Sequence, residues 1–419
     1  EEILKYGCPI GRAASGVGQG EHVHVHNLKT GLAGTEKYRY EPEKSALDPK
    51  EPRTFLGFLR RSGRVGVRNE VWVIPISGCV NHTVNMLAAA PRTLPAGVDG
   101  VHAFPHPFGC SQLGDDHENT RRILAGLAEH PNAGAVLLVG LGCENNQMDS
   151  FKEMLAGRGS LDEERMRFMV TQDVEDELET GEALLAECIE YAAGFSRQEV
   201  PASSLVVGLK CGGSDGFSGL TANPLLGAFS DELVAQGGST ILTEVPEMFG
   251  AETILMNRAA DSEVFEKIVG LINGFKEYFL RHKQVVYENP SPGNKKGGIS
   301  TLEDKSLGCT QKGGEAPVAD VIAYGTPVVT AGLNLLEGPG NDIVAITALA
   351  ASGAQLVLFT TGRGNPLGAP VPTVKVASNG ELASRKPHWI DFNAGVLIED
   401  ESCSMEKLKE EFMELVLAC

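Results

Sequence analysis

Hydrophobic and polar positions follow two rhythms along this chain. Short runs rich in apolar residues, of the length of buried β-strands, lie at 71–76, 98–104, 135–139 and 205–209. Helical stretches separate them, and in the clearest, 264–283, apolar residues recur three and four positions apart. Strands that alternate with helices predict an α/β fold, with a mostly parallel sheet covered on both faces.

The same pattern divides the chain. Residues 1–42 alternate short apolar groups with glycine turns, and the strict alternation of HVHVH at 22–26 predicts a strand near the end of a small all-β module. Residues 43–53 have the Pro-rich, charged composition of a solvated linker. We predict a middle α/β domain over 54–200 and a C-terminal one over 201–419. Because the chain begins without Met inside the first module, we expect further residues upstream.

Composition and charge exclude several classes of protein. The 419 residues are 42% hydrophobic and 22% charged, as in ordinary globular domains, and no apolar run approaches the roughly 18 residues of a membrane helix. Lys+Arg 36 against Asp+Glu 55 leaves a net charge of −19, so neither nucleic acid nor a membrane surface is an expected partner. The nine cysteines form no secretory disulfide pattern, which predicts a cytoplasmic protein with free thiols.

An apolar strand followed by a turn containing cysteine recurs four times. The thiols belong to Cys79, Cys110, Cys143 and Cys211, and Cys309 follows a similar Leu-Gly pair. Ligands bind at the carboxyl ends of parallel strands, so these thiols are predicted to meet at one sheet edge. Thiolates suit iron, iron–sulfur clusters, zinc or copper(I). The alternative is that each cysteine packs as a small apolar residue beside glycine.

Histidines and glycine loops supply further candidate groups. His24 and His26 share one face of the predicted strand, as ligands or bases or as a solvated edge, and His106 precedes Cys110 in a loop. Lys295 and Arg363 lie in glycine-rich loops, where basic groups among free backbone N–H groups suit a carboxylate; the alternative is tight turns with exposed charge. No Walker-type phosphate loop occurs, and a complete dinucleotide fingerprint is missing, which disfavours a nicotinamide enzyme.

Several long motifs carry a resemblance to a known family. They are GFLR (57–60), GRVGVRN (63–69), GCSQLGDD (109–116), GCENNQ (142–147), CGGSDG (211–216), TANP (221–224), EVPEMFGAE (244–252), NK (294–295), KSLGC (305–309) and TGRG (361–364). With them the chain resembles the altronate/galactarate dehydratase family over essentially its whole length. The turns around Cys110 and Cys143 and the segment at Cys309 are more similar to the altronate branch.

The resemblance implies an iron-dependent hydro-lyase that converts D-altronate to 2-dehydro-3-deoxy-D-gluconate in hexuronate catabolism. It also implies Rossmann-like α/β domains preceded by a β-clip domain, of which residues 1–42 would be the C-terminal part. The family's C-terminal tail is expected to extend beyond Cys419. A cytoplasmic homodimer acting on a small sugar acid is the expected form.

Site residues follow from combining the resemblance with the residue patterns. Dehydration needs a base for the C2 proton, an acid for the leaving hydroxyl and stabilisation of enolate charge. The predicted catalytic residues are His24, His26, His106 and Lys295. The predicted substrate-binding residues are Lys295, Arg363, Asn294, Ser214 and Asp215. Iron, as Fe²⁺ or an iron–sulfur cluster, is predicted at Cys79, Cys110 and Cys143, with Cys211 or Cys309 as alternates.

Three rival interpretations remain open at this point. An oxygen-ligated metal site built from Asp215, Glu144 and Asn145 would replace the thiol site. A dehydratase or sulfo-lyase of the same family would act on galactarate or sulfolactate instead of altronate. From another class of function, the thiols would serve a non-catalytic iron-binding or electron-transfer protein.

Overall fold

The computed structural model describes residues 1–43 and 45–419. Lys44, in the predicted linker, lies outside the described residues. The N-terminal region is a small antiparallel sheet in the order β1-β2-β3, formed by β1 (Glu2–Lys5), β2 (Cys8–Ala13) and β3 (Leu28–Lys29). It packs on the C-terminal region through Ile10, Leu28 and Leu307, which confirms the predicted all-β module.

The middle region is built on a parallel four-stranded sheet in the order β7-β6-β8-β9. Its strands are β6 (Glu70–Pro75), β7 (Gly100–Ala103), β8 (Ala133–Gly140) and β9 (Met166–Val170). Its helices are α1 (Asn81–Ala89), α2 (Gly114–Ala128), α3 (Met148–Gly157) and α4 (Glu177–Ala193). A separate antiparallel sheet joins its two ends, formed by β4 (Thr54–Leu59), β5 (Val65–Gly66) and β10 (Gln198–Pro201).

The C-terminal region contains a parallel seven-stranded sheet in the order β13-β14-β12-β11-β15-β16-β17. Its strands are β11 (Val206–Cys211), β12 (Ser239–Leu242), β13 (Val318–Ile322), β14 (Gly332–Leu336), β15 (Leu356–Thr361), β16 (Thr373–Ala377) and β17 (Phe392–Asn393). Its helices are α5 (Ala222–Ala235), α6 (Glu252–Asn257), α7 (Ser262–Arg281), α8 (Pro292–Lys296), α9 (Leu302–Cys309), α10 (Asp342–Ala351), α11 (Gly380–Arg385), α12 (Val396–Glu399) and α13 (Met405–Ala418).

The strands and the amphipathic helix predicted for the α/β region are confirmed. The four apolar runs form β6, β7, β8 and β11, and the amphipathic stretch at 264–283 forms α7. Every residue of β8 is buried, because alternate side chains enter apolar clusters on opposite faces of the sheet. This is the covered parallel sheet of an α/β fold.

One apolar layer joins the middle and C-terminal sheets. Helices α2 and α10 pack against each other so closely that a Cβ atom on Gly126 would lie 2.2 Å from the carbonyl oxygen of Ala351. Only glycine permits that approach. Among the described residues, no helix is both long and apolar enough to cross a membrane.

Candidate active site

Buried polar side chains gather at the carboxyl ends of β11 and β12. Lys210 and Cys211 end β11, and Glu244 and Glu247 follow β12, the latter in a short 3₁₀ turn. Helix α9 brings Cys309, the turn after it brings Lys312, and all six side chains are buried. Parallel strands place their carboxyl ends at one edge, so neighbouring loops converge there.

Two thiols and one carboxylate lie close together at the centre of this group. The Sγ atoms of Cys211 and Cys309 are 3.6 Å apart, and Glu247 Oε2 lies 3.4 Å and 3.2 Å from them. Among the described residues this is the one set of three metal-ligating side chains whose donor atoms all lie within 4.8 Å of one another. A tetrahedral ion with metal–sulfur bonds of about 2.3 Å holds its sulfurs about 3.8 Å apart. The spacing of the triad, defined here as Cys211, Glu247 and Cys309, therefore fits one metal ion and is compatible with iron.

Lysine ammonium groups surround the triad. Lys312 Nζ lies 2.9 Å from Cys211 Sγ and 3.1 Å from Glu244 Oε2, and Lys305 Nζ donates to Glu247 Oε1 at 2.7 Å. Lys210 pairs with Glu244 and, at 2.7 Å, with Asp342. The site thus contains three ammonium groups and three carboxylates. This equal number matters because buried charges are tolerated only when they are paired. When a divalent ion binds and displaces one proton from each of the two thiols, the net charge of the site does not change.

The network controls protonation. Burial alone would raise the pKa of Glu247, but Lys305, Lys210 and Lys312 outweigh it and hold the pKa well below its usual value. Burial would likewise lower the pKa of Lys312, yet Cys211 and Glu244 raise it well above the usual range. The hydrogen bond with Cys211, and then burial, raise the pKa of Cys309. At neutral pH without metal, the site therefore combines a carboxylate, ammonium groups and a protonated Cys309 thiol.

Glu244 occupies a strained backbone position. Its φ is 68°, in the left-handed region that non-glycine residues rarely adopt. Its carboxylate accepts hydrogen bonds from the Cys211 backbone N–H at 3.0 Å and from two buried lysines. These contacts compensate for strain of about 1–3 kcal/mol, a feature typical of functional sites.

Predicted substrate-binding residues border a small cavity beside Cys309. The cavity has about 30 Å³, the space of about one water, and is lined by Ser214, Asp215 and Lys305 with residues of the N-terminal hairpin. The Asn294 amide donates to Ser214 O at 2.8 Å. The structure therefore brings Ser214, Asp215 and Asn294 together.

Asp215 organises the loops around this cavity. Its carboxylate accepts hydrogen bonds from Ser218, from Ser378 at 2.8 Å and from Asn379 at 2.9 Å. A Cβ atom on Gly362 would lie 2.1 Å from the Asp215 carboxyl carbon, so the predicted glycine loop approaches as tightly as its composition indicated. Arg363 is exposed on this loop, and Lys295 is half-buried on α8.

The histidine-rich segment differs from the prediction. Residues 22–26 do not form a strand; they lead into a turn in which His24 O accepts from Asn27 N and Leu28 N at 2.9 Å. The cause is Asn27, whose buried side chain accepts from His24 N and donates to His22 O and so competes with strand pairing. The imidazoles still cluster, with His22 and His24 ring centroids 5.5 Å apart and His22 and His26 6.3 Å apart.

Both ring nitrogens of His106 bond to backbone. Nε2 lies 2.7 Å from Pro75 O, and Nδ1 accepts from Phe108 N at 3.1 Å. Burial lowers the pKa of this imidazole, so it is a neutral group that holds the turn before Cys110.

Comparison with known proteins shows the family to which this chain belongs. The family model of the C-terminal part of D-galactarate/altronate dehydratase matches residues 202–419, about half of the chain. The chain is 60% identical over 405 residues to the altronate dehydratase of Bacillus subtilis (strain 168), which covers 96% of this chain and 81% of that protein. The chain belongs to the D-galactarate/altronate dehydratase family.

Further matches support membership of the D-galactarate/altronate dehydratase family along the rest of the chain. The family's second-domain model matches residues 57–193 and its SAF-domain model matches residues 1–31. Identity is 52% to the altronate dehydratase of Escherichia coli (strain K12), over 99% of this chain and 84% of that protein. It is 31% to the galactarate dehydratase (L-threo-forming) of the same strain, over 96% and 79%. The chain is thus a hydro-lyase, a dehydratase of sugar acids.

The thiols of this dehydratase do not form one constellation. Cys211 and Cys309 belong to the triad in the C-terminal region, whereas Cys79, Cys110 and Cys143 are exposed at the carboxyl ends of strands in the middle sheet. The single predicted edge is therefore wrong, because the repeated strand–turn pattern is shared between two sheets. Asp215 and Glu144, of the alternative oxygen site, lie on loops of different sheets, and each carboxylate accepts backbone N–H bonds from its own loop.

Sequence reasoning missed the buried charges. Glu244, Glu247 and Lys305 lie inside motifs that carried the family resemblance, but charged residues in a long chain are usually at the surface. Lys210 and Lys312 flank cysteine motifs, which was the available signal. No signal in the sequence pointed to Lys375. Its Nζ is buried without a hydrogen-bond partner, 3.4 Å from the centroid of the Phe359 ring. Burial lowers its pKa to about 8.

Proposed function

We propose that this chain dehydrates D-altronate to 2-dehydro-3-deoxy-D-gluconate with the help of iron, as a cytoplasmic homodimer in hexuronate catabolism. The observation that carries the choice of substrate is the contrast in identity. It is 60% and 52% to two altronate dehydratases but 31% to a galactarate dehydratase.

In this proposal the glycine loops bind the substrate's carboxylate. Arg363 supplies charge from the loop after β15, which meets the loop after β11 where Gly213 O accepts from the N–H groups of Gly362 and Arg363 at 3.1 Å and 2.9 Å. Lys295 supplies charge from α8, which is joined to the loop after β11 by the bond from Asn294 to Ser214 O. Arginine binds a carboxylate through two parallel hydrogen bonds. Ser214, Asp215 and Asn294 keep these loops in register.

Proton transfer is assigned to the N-terminal module. His24 and His26 stand on the turn held by Asn27, and imidazole is the side chain most often used for general acid–base chemistry. One removes the C2 proton and the other protonates the leaving C3 hydroxyl. His106, whose nitrogens are both engaged with backbone, acts in this proposal by positioning the turn before Cys110.

Cys211, Glu247 and Cys309 would hold a ferrous ion. When bound, such an ion supplies Lewis-acid stabilisation of negative charge. Lys305 and Lys312 would offset the negative charge of the ligands Glu247 and Cys211, since each ammonium lies within 3 Å of its partner.

The test compares substrates with anaerobically purified protein supplied with ferrous iron and a reductant. We expect formation of the 2-keto-3-deoxy acid from D-altronate with a kcat/KM at least about tenfold above that for galactarate, and no sulfite from sulfolactate. A preference for galactarate or sulfolactate contradicts the proposed substrate. No turnover of any of the three contradicts the proposed reaction.

Two variants separate the metal from the fold. Glu247→Gln is expected to lose the ferrous ion of the triad and the activity, whereas Lys267→Met, which removes an exposed charge on α7, is expected to retain both. Iron content is measured on the isolated proteins. If Glu247→Gln binds as much iron as the unmodified chain, the assignment of iron to the triad is contradicted.

A further inference from the structure

The turns that carry Cys79, Cys110 and Cys143 form one connected structure. They follow β6, β7 and β8, which are adjacent in the sheet. Gly78 N donates to Phe108 O at 2.7 Å, and Asn146 N donates to Gly109 O at 3.1 Å. A further bond joins Ser111 N to Asn145 Oδ1 at 2.6 Å. Three segments distant in sequence are thus held in a fixed arrangement.

Each thiol directly follows a glycine that close contact requires. A Cβ atom on Gly78 would lie 2.5 Å from His106 O, and one on Gly109 would lie 2.2 Å from Ile76 O. Gly142 has a φ of 126° and would meet the Gln172 side chain at 2.7 Å. The backbone is therefore shaped to bring the three turns together, at positions where no larger residue fits.

All three thiols are exposed, unlike those of the triad. Exposed thiols are liable to oxidation and are rarely retained for packing. Gln172 Nε2 lies 3.6 Å from Cys143 Sγ and can donate to it. Nearby polar groups are already engaged, since Glu144 accepts from Leu141 N at 2.8 Å and the His106 ring is bonded to backbone. Within the described residues, no histidine or carboxylate completes a compact four-ligand set with these thiols.

We propose that Cys79, Cys110 and Cys143 bind a [4Fe–4S] cluster through three thiolates, leaving one iron without a protein ligand and open to solvent. Cysteine thiolates are the usual ligands of such clusters. In the part of the chain that the structure describes, these three sulfurs do not all lie within 4.8 Å of one another. A single tetrahedral ion would draw its sulfurs to about 3.8 Å, whereas a cube binds each thiolate on a different iron and holds them further apart.

The open iron gives this centre a chemical use. A metal site with three protein ligands keeps a position for water or substrate oxygen, and these turns lie at the sheet edge where ligands of α/β proteins bind. The cluster does not depend on which sugar acid the enzyme takes, so its test uses no turnover.

The experiment reconstitutes the full chain anaerobically with ferrous iron, inorganic sulfide and a thiol reductant. We expect about four acid-labile sulfide per chain, and about four iron in addition to the single ion proposed for the triad, with visible charge-transfer absorption and a Mössbauer spectrum of a four-iron cluster. Cys79→Ser, Cys110→Ser and Cys143→Ser should each lose at least about tenfold in cluster content. Cys188→Ser, which alters a buried thiol on α4 of the same domain, and Cys211→Ser should keep the sulfide and the cluster spectrum.

A second measurement covers variants that fold poorly. In the unmodified chain, alkylation followed by mass spectrometry should label Cys79, Cys110 and Cys143 before reconstitution and leave them protected afterwards. A complete absence of labile sulfide after reconstitution, or full alkylation of the three thiols at that stage, would overturn the proposal. Loss of the cluster in Cys211→Ser alone would move it to the triad.

Discussion

Replacing Lys312 by Met tests whether the buried charge network stabilises the C-terminal domain. The side chain is 1% exposed and its ammonium lies 2.9 Å from Cys211 Sγ and 3.1 Å from Glu244 Oε2. Methionine fills a similar volume without the charge. The substitution therefore removes the ion partner and leaves most of the packing in place.

The expected loss follows from what remains around Glu244. Removing one member of a buried ion pair costs about 3–5 kcal/mol, because the other charge is left uncompensated. Glu244 keeps Lys210 and the Cys211 N–H, so we expect the low end, about 3 kcal/mol. This corresponds to about a hundredfold change in the unfolding equilibrium constant.

The two tryptophans allow the C-terminal domain to be followed by itself. Trp72 is buried in β6, and Trp389 packs against Gly364. In a Trp72→Phe background, tryptophan fluorescence during urea unfolding reports the C-terminal domain, and the midpoint shift is compared for each variant. The matched control is Lys267→Met, because Lys267 is 42% exposed and pairs with Asp320 at 3.1 Å; exposed pairs contribute little.

We expect a clear lowering of the midpoint in Lys312→Met and no measurable shift in Lys267→Met. Equal shifts in the two variants would refute the reasoning. So would a loss below about 1 kcal/mol in Lys312→Met, the size typical of a surface pair.

Three further predictions concern other parts of the molecule. The pKa of Lys375 in the folded protein, about 8, lies below that of an unfolded lysine. Between pH 8 and about 10.4 the unfolded chain therefore binds more protons, and the free energy of unfolding rises with pH. Lys375→Met should flatten this slope in urea midpoints taken across that range, and an unchanged slope contradicts the prediction. Gly109→Ala should disorder the turn at Cys110, because φ is 96° and the added methyl meets Ile76 O; faster proteolysis of this turn than in Gly63→Ala, whose glycine has open space, is the expected result. Asn69→Ala removes hydrogen bonds to Gly97 O, Ala192 O and Arg60. It should lower the free energy of unfolding of the middle domain, followed by Trp72 fluorescence, by about 2–4 kcal/mol. No loss would show that these bonds are dispensable.

Much of the architecture follows from the sequence alone. Runs such as 71–76 and 135–139 predicted buried parallel strands, and 264–283 predicted an amphipathic helix, because burial on one or both faces leaves a local period in the residues themselves. Glycines before Cys110 and within 362–364 correctly indicated tight backbone approach. The motifs were long enough to indicate the family.

Tertiary structure alone decided which chemical groups meet. Local periodicity does not encode strand order. The order β12-β11-β15 places Glu244 and Glu247 beside Cys211. The packing of α9 then adds Cys309, and the turn after α9 adds Lys312. For the same reason a cysteine pattern that looked uniform divided between two sheets. The turn at His24 depended on the Asn27 side chain, whose competition with strand pairing outweighed an alternating pattern.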